Sequence, residues 1–91
     1  MRLLWTEEGW EDYLHWQETD RSQLRRVNAL ITEIARDPSG GIGKPEPLRR
    51  ELAGWWSRRI TREHRLVYRI LGTGPDQYIE IAACRYHYRR P

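Results

Sequence analysis

The stretch Asp20-Arg-Ser-Gln-Leu-Arg-Arg-Val-Asn-Ala-Leu-Ile-Thr-Glu-Ile-Ala-Arg-Asp37-Pro38 decides the fold. Leu24, Val27, Leu30, Ile31 and Ile34 recur at the spacing of one helical face. Asp20 followed by Gln23 resembles a capping box, and the residue before Pro38 is pushed away from helical geometry, so the helix is bounded at both ends. Immediately upstream, Thr6 suits an N-cap, with Glu7 and Glu8 where carboxylates favour the helix dipole. Trp10, Tyr13, Leu14 and Gln17 share one side of that first helix; Glu7, Glu8, Glu11 and Asp12 take another and read as solvent-facing. A very short link at Asp20 makes the two helices an antiparallel pair.

Either side of the pair the period becomes that of strands. Arg2 to Trp5 is a short apolar run fit for a first strand. After the Gly- and Pro-rich loop Pro38-Ser-Gly-Gly-Ile-Gly-Lys-Pro-Glu-Pro47, strands are expected over Leu48 to Leu52, Trp55 to Ile60, His64 to Leu71 and Tyr78 to Tyr86. The expected architecture is α+β: two N-terminal antiparallel helices on a twisted, mainly antiparallel sheet of four to five strands, in one domain over residues 1–91. Alternation points Leu66, Tyr68 and Ile70 one way and Arg65, Val67 and Arg69 the other. One face meets the helices; the other gathers arginines into a basic surface beside the Gly-Pro loop.

The 91 residues carry a net charge of +3, unevenly spread. Residues 1–20 hold one base against six acids, and the remainder holds 15 bases against seven acids, a footprint suited to a polyanion. Five Trp and five Tyr with no Phe give a core of amphipathic rings, of a kind that also stack on bases. The single cysteine, Cys84, lies in an apolar run, which excludes an internal disulfide and fits a core position in a reducing compartment. No apolar run is long enough to span a membrane and no export signal is recognisable, so a cytoplasmic location is expected.

Metal-free cleavage of RNA needs a base for the 2′-hydroxyl proton, a cation on the phosphate and an acid for the departing 5′-oxygen. Glu46, Arg65 and His87 fit those roles by type, although spacing alone does not bring them together, and a Glu between prolines or a terminal His is ordinarily just solvated. His15, His64, His87 and Cys84 lack the spacing of a zinc site, and Gly40-Gly-Ile-Gly-Lys44 is too short for a phosphate-binding loop. No metal and no cofactor are expected.

Four collinear segments resemble the YoeB toxins of the RelE/ParE superfamily: Leu4-Trp5-Thr-Glu-Glu-Gly-Trp-Glu-Asp-Tyr-Leu-His-Trp-Gln-Glu-Thr-Asp20, Gly43-Lys-Pro-Glu-Pro-Leu48, Trp56-Ser-Arg-Arg-Ile-Thr61 with Glu63-His-Arg-Leu-Val-Tyr68, and Ala82-Ala-Cys-Arg-Tyr-His-Tyr88. The resemblance covers almost the whole chain. It implies a type II toxin–antitoxin toxin, a ribosome-dependent endoribonuclease that cuts mRNA in the A site of the 70S ribosome through a 2′,3′-cyclic phosphate. It further implies Glu46 as general base, Arg65 as the phosphate cation, His87 as general acid and Tyr88 at the substrate. Lys44, Arg49, Arg58 and Arg59 would hold RNA backbone and ribosomal RNA. The implied partners are a YefM-like antitoxin with a disordered acidic tail and a second copy of the chain, with exposed tryptophans at the dimer interface.

Three features depart from the family pattern: a longer hairpin at Leu71-Gly-Thr-Gly-Pro-Asp-Gln77, Arg49 where Lys is familiar, and a tail Arg89-Arg-Pro91 beyond the closing tyrosine. The rival readings are a gyrase-inhibiting toxin of the ParE branch and a non-catalytic nucleic-acid-binding module.

Overall fold

The computed structural model describes residues 1–87. In chain order the elements are β1 (Arg2–Trp5), α1 (Glu7–Thr19), α2 (Arg21–Arg36), β2 (Glu46–Pro47), β3 (Trp56–Arg59), β4 (Arg65–Leu71) and β5 (Tyr78–Ala83). Both helix starts follow the expected chemistry. The Thr6 hydroxyl accepts from Gly9 N, and Asp20 Oδ1 accepts from the backbone N–H groups of Ser22 and Gln23. Asp20 is also the C-cap of α1, its own N–H reaching Trp16 O at 2.9 Å, so one residue turns the chain between the helices.

The five strands form one sheet in the order β1-β5-β4-β3-β2. All neighbours are antiparallel except β1, which runs parallel to β5 with Leu3 opposite Ile79 and Trp5 opposite Ile81. The helices cover one face. Val27, Leu30 and Ile34 of α2 and Trp16 of α1 meet Leu66, Tyr68, Ile79, Ile81 and Cys84 there, as the alternation along β4 requires. Fully burying side chains of this size stabilises a fold by roughly 1.5–3 kcal/mol each. Gly9 lets α1 approach: a Cβ there would lie 2.5 Å from the carbonyl oxygen of Ile81.

Three local expectations are corrected. The strand expected over Leu48 to Leu52 is a 3-10 turn at Arg50–Leu52, entered through Arg50 at φ 58°. The pairing segment lies earlier, at Glu46–Pro47, and places Glu46 in a strand rather than in the loop. It is an edge strand, a position where a proline without a donor is tolerated. Third, β5 stops at Ala83 instead of continuing to Tyr86. A register shift at Val67/Tyr68 pairs Val67 with Ala83 but Tyr68 with Ile81. The extra residue sends both Ala82 and Ala83 to the face away from the helices, where they pack with Trp55 and Val67, and returns Cys84 to the main core. The longer hairpin between β4 and β5 is an exposed 3-10 turn at Gly74–Asp76.

Candidate functional site

Cross-strand register assembles the face away from the helices. Glu46 stands opposite Ser57, Ser57 opposite Val67 and Val67 opposite Ala83, so these four side chains form one row across β2, β3, β4 and β5. One row further on, Arg59 stands opposite Arg65. Strand spacing of about 4.8 Å and a rise of about 3.3 Å per residue put the Cα atoms of Glu46 and Arg65 roughly 12 Å apart, within the combined reach of the two side chains. Two arginines opposite each other repel, and the arrangement is relieved when an anion lies between them.

Arg65 is only 7 % exposed. Its Nη1 donates to the carbonyls of Thr61, Arg62 and His64 at 2.8 to 3.1 Å, so the β3–β4 turn wraps the guanidinium. Nε and Nη2 carry no partner among the described residues. A guanidinium held from one side offers its remaining donors in a fixed direction, as a cation must to stabilise developing charge without reorganising.

Beyond Ala83, side chains replace the strand ladder. Asp12 Oδ2 accepts from Cys84 N at 3.0 Å, and Trp16 Nε1 donates to Cys84 O at 2.7 Å. Tyr86 N donates to His64 Nδ1 at 2.8 Å, while Arg65 N donates to Tyr86 O at 2.8 Å. The segment therefore runs beside Arg65, and His87 follows directly, exposed to solvent. Asp12 is thus 4 % exposed and points into the protein, not to solvent with the other acids of α1. Burial lowers the pKa of His64; Glu63 opposes that shift, Arg85 and His15 add to it, and Asp12 opposes it.

The remaining basic residues divide. Lys44 and Arg49 are exposed, Lys44 on a loop tied to β3 where Arg59 N donates to Gly43 O at 2.7 Å. Arg59 is exposed as well. Arg58 departs from the RNA-contacting role expected of it. It is 0 % exposed on the helix side, where Nε donates to the Tyr68 hydroxyl, Nη1 to Ile42 O and Nη2 to Asp37 O at 2.7 to 3.1 Å. It pins the loop after α2 to the sheet. Tyr88 lies outside the described residues, and among those described no His, Cys, Asp and Glu side chains gather as a metal site.

An α-hairpin on one face of a mainly antiparallel sheet, with an acid and a cupped arginine on the other, places the molecule among the small α+β toxins. The family model of YoeB-like toxins of bacterial type II toxin–antitoxin systems matches residues 5–88, and the chain belongs to that family. It is 56 % identical over 88 residues to toxin YoeB of Escherichia coli K12, covering 97 % of this chain and 100 % of that one. A YoeB/ParE toxin from Agrobacterium tumefaciens superimposes with a TM-score of 0.93 at 51 % identity, covering 97 % of this chain and 100 % of that one. A YoeB–YefM complex from Staphylococcus aureus gives 0.86 at 39 % identity, with 97 % and 98 % covered. A YoeB dimer from the same organism gives 0.83 at 42 %, again with 97 % and 98 % covered.

Proposed function

We propose that this type II toxin is a ribosome-dependent endoribonuclease that cuts mRNA in the ribosomal A site and so stops translation. The observation that carries the reading is the placement of Glu46 and Arg65 in adjacent rows of the sheet face away from the helices, with the His87 segment bonded to the backbone of Arg65. In the reaction Glu46 takes the proton of a 2′-hydroxyl, and the 2′-oxygen attacks the adjacent phosphorus. Arg65 neutralises the charge gathering on the non-bridging oxygens, and His87 gives a proton to the departing 5′-oxygen. The products are a 2′,3′-cyclic phosphate and a 5′-hydroxyl, and the cycle needs no metal or cofactor. Tyr88 assists at the substrate.

Lys44, Arg49 and Arg59 hold the phosphate backbone of mRNA and ribosomal RNA, each by charge and independently of sequence. Arg58 has no part in that contact. The YoeB–YefM complex supports a YefM-like antitoxin as partner, and an acidic segment of such a partner would suit the same basic face by charge. The YoeB dimer supports a homodimer. Leu3, Leu4 and Trp10 are 42 to 46 % exposed, on and beside edge strand β1, and supply apolar area for it. A protein working on bacterial ribosomes acts in the cytoplasm.

The test is the chemistry of the new ends. Message recovered from ribosomes treated with the toxin is expected to carry 5′-hydroxyl and cyclic or 3′-phosphate termini. Ends with a 5′-phosphate and a 3′-hydroxyl would exclude attack by the 2′-oxygen.

A further inference from the structure

Among the groups that hold the C-terminal segment is one residue that the proposed chemistry leaves unused, His64. Tyr86 has a positive φ of 65°, a conformation that side-chain-bearing residues adopt only when their surroundings hold them there. Its carbonyl is held by Arg65 N and its N–H by His64 Nδ1. Because the N–H is the donor, Nδ1 must carry its lone pair, so His64 works as the neutral ring protonated on Nε2. The ring is fixed in turn: Trp16 meets it edge to face at 4.8 Å, and the Tyr86 ring lies at 6.0 Å.

We propose that His64 is a positioning residue: as a neutral imidazole it clamps the Tyr86 backbone and so holds His87 beside Arg65, and its protonation releases the segment. The inference rests on the ribonuclease reading for its consequence, and on the hydrogen bond for its substance. A protonated ring would set Nδ1–H against the Tyr86 N–H, turning an attraction into a donor–donor conflict. The groups facing the ring are Asp12 and His15 from α1, Arg85 from the C-terminal segment and Glu63 from its own turn. Burial outweighs the two carboxylates and holds the ring below its ordinary histidine value, so the clamp is closed at neutral pH.

The test uses the whole chain, wild type beside His64→Asn and His64→Leu. Asparagine sets an oxygen where Nδ1 was, an acceptor that does not titrate; leucine removes the acceptor. Nitrogen-15 NMR is expected to find Nδ1 unprotonated at neutral pH. Exchange protection of the Tyr86 amide is expected to fall in wild type across the acid end of about pH 5 to 8, to stay constant with pH in His64→Asn, and to be absent in His64→Leu. Core amides such as Leu66 serve as the control for folding. On ribosomes His64→Leu should lower kcat about 10- to 100-fold, the cost of a misplaced catalytic group, and His64→Asn should restore most of it.

A proton found on Nδ1, or Tyr86 protection unchanged in His64→Leu, overturns the clamp. So does full cleavage by His64→Leu beside an active wild type. If no variant cuts message while the amide protection behaves as described, the ribonuclease reading fails and the clamp stands, because amide exchange is read without any substrate.

Discussion

Replacing Arg58 by methionine keeps most of the apolar stem and removes the guanidinium, leaving Ile42 O, Asp37 O and the Tyr68 hydroxyl without the donors that now reach them at 2.7 to 3.1 Å. Hydrogen bonds from a charged donor are worth roughly 1.5–3 kcal/mol each, but three sharing one group do not add. The carbonyls are only partly buried and regain some water. Tyr68 retains its own bond to Pro38 O at 2.8 Å. A loss of about 3 kcal/mol follows, a large fraction of the roughly 5–13 kcal/mol expected of a domain this size. With a urea m-value of about 1 kcal/mol per M, the unfolding midpoint should fall by about 3 M. Tyr68→Phe removes the shared hydroxyl, and a double-mutant cycle with Arg58→Met should show a coupling of about 1 kcal/mol. The reasoning is refuted if the midpoint of Arg58→Met stays within about 0.5 M of wild type while RNA binding collapses, since that would return Arg58 to the surface.

Arg59→Met, one residue away but exposed, should leave the urea midpoint unchanged and lower the slope of log K for RNA against log salt by about 1; an unchanged slope would remove Arg59 from the phosphate contacts. Gly9→Ala gains about 1 kcal/mol in helix propensity, but its Cβ would meet Ile81 O at 2.5 Å, so a net loss of about 1–2 kcal/mol is expected in chemical unfolding, and a stabilised variant would contradict the close packing of α1. Burial raises the pKa of Tyr68 above its ordinary value of 10.0, with the hydrogen bond and charge of Arg58 acting against the shift. A raised folded-state value means a stability contribution that is present below pH 10.0 and is lost as pH rises through the folded-state value, so alkaline destabilisation should be shallower in Tyr68→Phe than in wild type.

The helical half was legible because its signals are local. Thr6 and Asp20 cap their helices, and the apolar period of Leu24 to Ile34 turns one face of α2 inward. Pairings made across the chain were not. Nothing near Arg2–Trp5 indicates that it lies parallel to β5, some 76 residues later, and Glu46–Pro47 pairs only because β3 supplies the partner. The bulge that sends Ala82 and Ala83 the same way leaves no trace in a run of small apolar residues. Arg58 did carry a readable sign. It shares the alternation phase of Trp56 and Ile60, both turned toward the helices, whereas Arg59 shares the phase of Ser57 on the face away from them. Residue type pointed outward and phase pointed inward, and three acceptors decided for phase. For the site, the residue types suggested the chemistry and the family resemblance supplied the roles. The side-chain holds on the last segment, from Asp12, Trp16 and His64, had no sequence signal, because each serves a backbone group about 20 or 70 residues away.

The central claim is most directly tested by toeprinting a defined message on purified bacterial ribosomes with the wild-type chain, Glu46→Ala and His87→Gln. Wild type is expected to cut within the A-site codon, and each folded variant to cut at least about 100-fold less. Cutting at wild-type rates by either variant, or no cut by a folded wild type, would contradict it.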